Sequence, residues 1–137
     1  MMTDLNGYDY TYCDAFNSTN KNAFYYARNY NVSLPKTCSG WFVPSIGHWV
    51  CIIENLGKTD VRYTAKGIVY DQSTALHNLN KYGFIKDDYI GYWSSCEVKK
   101  YEGFKQDAWY VALEYGTIDY IIKATSLWQS VRAVAAF

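Results

Sequence analysis

Two histidines, two prolines and no surplus of either charge leave little room for several common functions. Lys and Arg number 13 against 13 Asp and Glu, so there is no basic field with which to grip nucleic acid, however well Tyr and Trp stack on bases. No cysteine pair has the C-x-x-C spacing of a zinc or redox centre, and two histidines add few ligands, so neither metal nor cofactor is expected. The longest apolar runs fall far short of a membrane span. The opening MMTDLNGYDY lacks the cationic start and apolar core of a signal peptide. These absences predict a soluble, intracellular protein without a membrane partner, whose apolar core leaves disulfides possible but unneeded.

What is present is an aromatic load. Half of the 137 residues are hydrophobic, with 15 Tyr, 5 Trp and 6 Phe, which suits one globular domain spanning 1–137 with a single core. No repeat, low-complexity segment or linker divides it. Most of the aromatics are expected to serve the core and contact surfaces.

The pattern predicts helices and strands in alternation. Residues 18–30 read as a helix capped by Ser18, with Ala23, Phe24, Ala27 and Tyr30 on one face. Pro35 and Gly40 punctuate a loop, and 41–43 form a short strand. The apolar, partly β-branched run 48–53 reads as a buried strand in which Cys51 is a buried thiol. A broken strand follows at 61–63 and 68–70, bent near Gly67, then a short helix ending at Gly83. Residues 88–101 are strand-like, with alternation at Tyr92, Ser94, Cys96 and Val98. A long helix starts after Asp107, with Trp109, Ala112, Leu113, Gly116, Tyr120 and Ile121 near helical spacing. Residues 130–137 continue it or dock as a tail. The fold class is α+β: a mixed, mainly antiparallel sheet flanked by helices.

His48 opens one apolar run and Asp71 closes another. On adjacent antiparallel strands they would meet at one end of the sheet, His48 as a base and Asp71 fixing its tautomer. The alternative on spacing alone is a core histidine beside a turn aspartate.

GHWVCII, then VYDQST, then EGFKQDAWYVALEYG, over about residues 40–120, resembles the adenovirus-type proteinases and the ubiquitin-like-protein-specific cysteine proteases. The resemblance implies a cysteine-protease-like fold and allows a viral or phage origin, with the protein then in the host cytoplasm or virion. It implies hydrolysis of peptide or isopeptide bonds in a protein or peptide substrate, with His48 as base, Asp71 as orienter and Trp49 packed beside the imidazole at the substrate side. Ala108 falls on the nucleophile position, Trp109 on the glycine after it, and Glu102 on the oxyanion-hole glutamine. By that alignment Ala108 starts a helix capped by Asp107 with its Cβ towards His48, and the chain is a protease relative with its nucleophile vacated.

Two other readings stand beside it. The order Cys13, His48, Asp71 resembles papain-like and bacteriocin-leader peptidases, which implies Cys13 as an alternative nucleophile at the head of the first helix. TCSGWFV also looks like a cell-wall-peptidase motif, although His48 follows it too soon. A third reading is non-enzymatic: a binding or structural protein that uses a Tyr- and Trp-rich surface for contacts. Cys96 is expected to be structural, and His77 a solvated helix residue.

Overall fold

The computed structural model describes residues 2–13, 22–84, 91–97, 107–122 and 130–136. Two short helices come first, α1 (Gly7–Tyr12) and α2 (Ala23–Arg28), followed by α3 (Ile46–Asn55). The hairpin β1 (Arg62–Thr64) and β2 (Gly67–Val69) leads to α4 (Gln72–Leu79), and β3 (Gly91–Glu97), β4 (Asp107–Ala112) and β5 (Thr117–Ile122) complete the order. The strands form one antiparallel sheet, ordered β1-β2-β5-β4-β3. The α+β class with a mainly antiparallel sheet is therefore correct. No helix among the described residues is long and apolar enough to cross a membrane.

Residues 48–53 are helix, not strand. Ile46, Trp49, Val50 and Ile53 are buried at i, i+3, i+4 and i+7, a helical stripe that its β-branched members disguise as a strand run. Ser45 supplies the N-cap. Cys51 points away from that stripe and is exposed, contrary to its expected burial.

The segment after Asp107 is the opposite case. It is a hairpin, β4 and β5, paired from Asp107↔Ile122 to Ala112↔Thr117. Gly116 takes a left-handed φ of 66°, and a Cβ there would lie 2.7 Å from the Tyr70 carbonyl oxygen, so this glycine is a turn residue and not a weak link in a helix. Trp109, Val111, Ile118 and Tyr120 then alternate in the pleat rather than following a 3.6 period.

Other boundaries moved less. The first long helix shrinks to α2, capped by the Asn22 side chain on Tyr25 N–H; the expected cap, Ser18, lies outside the described residues, as does Val98. The strand at 41–43 reduces to one bridge, Phe42↔Val134. The bent pair around Gly67 forms as β1 and β2, and Gly83 ends the helical stretch in a left-handed conformation. The tail docks on the body without forming a helix.

The core lies between the sheet and the layer of α3 and α4. Ile46, Trp49 and Ile53 from α3 and Ala75 and Leu79 from α4 pack with Ile68, Tyr92, Val111 and Ile118. Trp49 is its centre. Its ring stacks on Tyr92 at 5.4 Å, meets Phe84 at 6.1 Å, and its indole N–H donates to the Trp93 carbonyl at 3.2 Å. Trp49→Ala is expected to cost about 3–5 kcal/mol, because so large a void cannot collapse fully. A urea midpoint unchanged by that substitution would place the core elsewhere.

Candidate functional site

The residue singled out in the sequence, His48, sits in the first turn of α3, and its surroundings are built from three separate parts of the chain. Ser45 is fully buried, so water cannot satisfy the free N–H groups at the start of this helix. Protein atoms do it instead. Ile46 N–H points at Cys96 Sγ at 3.4 Å, Gly47 N–H at the Asp4 carbonyl at 2.9 Å, and His48 N–H at Ser45 Oγ at 3.5 Å. Trp49 N–H then begins the regular ladder at the Ser45 carbonyl, 3.0 Å.

The imidazole closes a capping box. Ser45 N–H donates to His48 Nδ1 at 3.3 Å, and the Ser45 hydroxyl lies 2.7 Å from the same nitrogen while also bonding the Asp4 carbonyl. The Ser45 N–H can donate only to an unprotonated Nδ1, so the backbone cap needs the Nε2–H tautomer, whereas the Ser45 hydroxyl, with one proton to share between Asp4 and the ring, fits either tautomer. Phe42 packs against the ring at 5.2 Å. Burial pulls the His48 pKa below its ordinary value, with the charge of Asp4 opposing in part.

Asp4 anchors the other side. Its carboxylate accepts from Asn6 N–H at 2.9 Å, Tyr10 hydroxyl at 3.0 Å and the Cys96 thiol at 3.6 Å. Burial pushes the Asp4 carboxyl up, but these hydrogen bonds outweigh it and hold the group below its ordinary value. Burial pushes the Cys96 thiol up, and the Ile46 N–H offsets this only in part. A Ser, a His, an Asp and a Cys are thus gathered together, yet their electrostatics oppose nucleophilic catalysis. A reactive thiolate–imidazolium pair needs the thiol lowered and the imidazole raised, and here both shifts have the reverse sign.

The expected His48–Asp71 pair does not form. Asp71 is the N-cap of α4, where its carboxylate accepts from Thr74 N–H at 3.0 Å, and no hydrogen bond or ion pair among the described residues joins it to His48. Ala108 is buried within β4, opposite Glu97 and Ile121, and heads no helix. By strand alternation it faces away from Trp109 and Val111, the residues turned towards the core. Trp109 is half-buried against Tyr120, with ring centroids 5.2 Å apart. Trp49 is wholly buried, so it offers no substrate surface. Cys13 follows the last residue of α1, the opposite end from the one the papain order requires. Glu102 lies outside the described residues. His77 is exposed on α4, as expected. Among the described residues no group of three or more His, Cys, Asp or Glu could hold a metal ion.

A second constellation is at the surface. Tyr8 and Tyr12, one turn apart on α1, bring their rings to 4.7 Å. The Tyr12 hydroxyl donates to the Trp41 carbonyl at 2.9 Å, and its ring lies over Gly40, where a Cβ would meet the phenol oxygen at 2.4 Å. Trp41 is fixed by its indole N–H on the Val32 carbonyl at 2.7 Å, and Tyr30 packs edge-on to it at 5.1 Å. Tyr8, Tyr12 and Tyr30 are 41%, 38% and 49% exposed, so this is a strip of pinned rings facing water rather than core. The composition forecast such a surface; its placement required α1 and the loop before α3 to meet.

Compared with family models, with curated proteins and with solved structures, the chain finds no significant match.

Two outcomes follow from the capped helix start. An unfolded histidine takes up its proton near 6.5, whereas folded His48 resists until lower pH, so in that window the unfolded state binds more protons. The stabilisation from neutral His48 is complete above pH 6.5 and is lost as pH falls through the lowered folded value. Denaturant melts should show this slope in the native chain and lose it in His48→Gln; Asp4 acts in a separate, more acidic window. With a thiol reagent at pH 8, exposed Cys51 should label first and Cys96 last. Fast labelling of Cys96 would contradict its place beneath α3.

Proposed function

We propose that the chain is a non-catalytic binding module that recognises a polypeptide partner through the strip of Tyr8, Tyr12, Trp41 and Tyr30. The observation that carries this reading is the combination of exposure and fixation: the Trp41 ring is held by its own indole N–H and by Tyr30, and Tyr12 is held by its hydroxyl. Rings that are already ordered lose little entropy on binding, and Tyr and Trp supply large amphipathic contact area. Such residues dominate protein contact surfaces. The balance of charge speaks for an uncharged contact rather than a phosphate backbone.

Descent from a cysteine-protease-like domain, with peptide hydrolysis by His48 and Asp71, is supported only by the short motifs GHWV and YDQS. The neutral imidazole and the raised Cys96 thiol favour the binding reading over it.

Selection of a peptide display library on the purified chain tests the proposal. Selected peptides should lose affinity on the order of tenfold or more when Tyr8 and Tyr30 are changed together to Ser, with the far-ultraviolet spectrum unchanged. They should be indifferent to Tyr63→Ser, a more exposed tyrosine on β1. Peptides that respond to Tyr63 and not to the pair, or that are cleaved during incubation, would overturn it.

A further inference from the structure

We infer that residues 130–136 form a detachable strap, a conformational device that holds the Trp41 segment in place and can open while the core stays folded. The strap crosses two zones of the molecule. On the core side, Trp93 N–H donates to the Ser130 carbonyl at 3.0 Å and Ser130 N–H to the Gly91 carbonyl at 2.8 Å. Arg132 lies over the Phe84 ring at 4.4 Å, and its guanidinium donates to the Gly83 and Tyr82 carbonyls. On the other side, Val134 and Phe42 exchange both backbone hydrogen bonds at 2.9 Å, Ser39 N–H donates to the Ala136 carbonyl at 2.8 Å, and Ala136 N–H to Ser39 Oγ at 2.9 Å. The strap therefore brackets Trp41 from both sides.

The contrast in burial makes it separable. None of its residues belongs to the core cluster that unites α3, α4 and the sheet, and residues 131–135 are only half-buried. Phe42 is buried but also lies outside that cluster. An element held by backbone hydrogen bonds and one arginine, with little apolar burial, belongs to the low-stability end of the structure. The segment before α3 has anchors of its own, Val43 N–H on Thr11 Oγ1 and the Pro44 carbonyl on Ser95 N–H. Opening should therefore stop short of Ser45 and spare the helix cap.

Amide and indole hydrogen exchange followed by nuclear magnetic resonance tests this on the full chain. Val134→Pro removes the N–H that Phe42 accepts, and Arg132→Ala removes the contact with Phe84 as a milder change. Both variants should speed exchange of the Phe42 and Ser39 amides and of the Trp41 indole N–H, on the order of tenfold for the loss of one hydrogen bond. The Trp49 indole and the Ile53 amide should keep native rates. If the Trp41 and Trp49 indoles accelerate together, or if the proline variant loses its folded spectrum, the strap is part of the core and the inference fails. It also fails if neither variant changes exchange at Phe42. No partner is needed for any of these readings, so they stand apart from the binding proposal.

Discussion

A helix that begins inside a protein must find partners there for its first N–H groups. The start of α3 meets this requirement with Cys96 Sγ, the Asp4 carbonyl and Ser45 Oγ. Leaving any one of them unmet would cost about 1–3 kcal/mol, a large share of the stability of a domain this size. That constraint explains why the chain before α1, the strand β3 and the N-cap of α3 converge. It also fixes the position of Trp49, one residue after His48, at the centre of the core. The layering of helices on the sheet depends on that orientation.

The same constraint accounts for a deceptive grouping of residues. Serine, histidine, aspartate and cysteine within one cluster look like catalytic machinery, but each has a capping role here. Cys96 accepts a backbone hydrogen bond and offers its proton to Asp4, and His48 returns to the backbone of Ser45. A group is catalytic through its protonation state as much as its identity, and burial drives both titratable partners away from the states that catalysis would need.

Much of the local structure was legible because it depended on local chemistry. Gly67 and Gly83 marked a bend and a helix end, and both have positive φ. Residues 91–97 alternated visibly and form β3. The failures came where two periods fitted one run. In 46–53 the spacing of Ile46, Trp49, Val50 and Ile53 was helical, and Pro44-Ser45 before it was a start signal. The β-branched content outweighed both, and histidine at the third helical position is not the usual capping-box acid. In 107–122 the turn glycine Gly116 has, in sequence alone, the look of a tolerated helix glycine. For the site, His48 stood out by its rarity and Tyr by its abundance. The partners Asp4 and Cys96, 41 and 50 residues from the atoms they bond, could not be found from local patterns.

The central claim is that His48 caps a buried helix as a neutral ring. Nitrogen chemical shifts of its imidazole, followed through a pH titration of the isotope-labelled protein, report the tautomer and the titration of that one side chain. The capped helix requires the Nε2–H tautomer and a midpoint below 6.5. An Nδ1–H tautomer would make the ring a donor to Ser45 Oγ instead of a cap on the backbone, and a midpoint above that value would contradict the neutral ring.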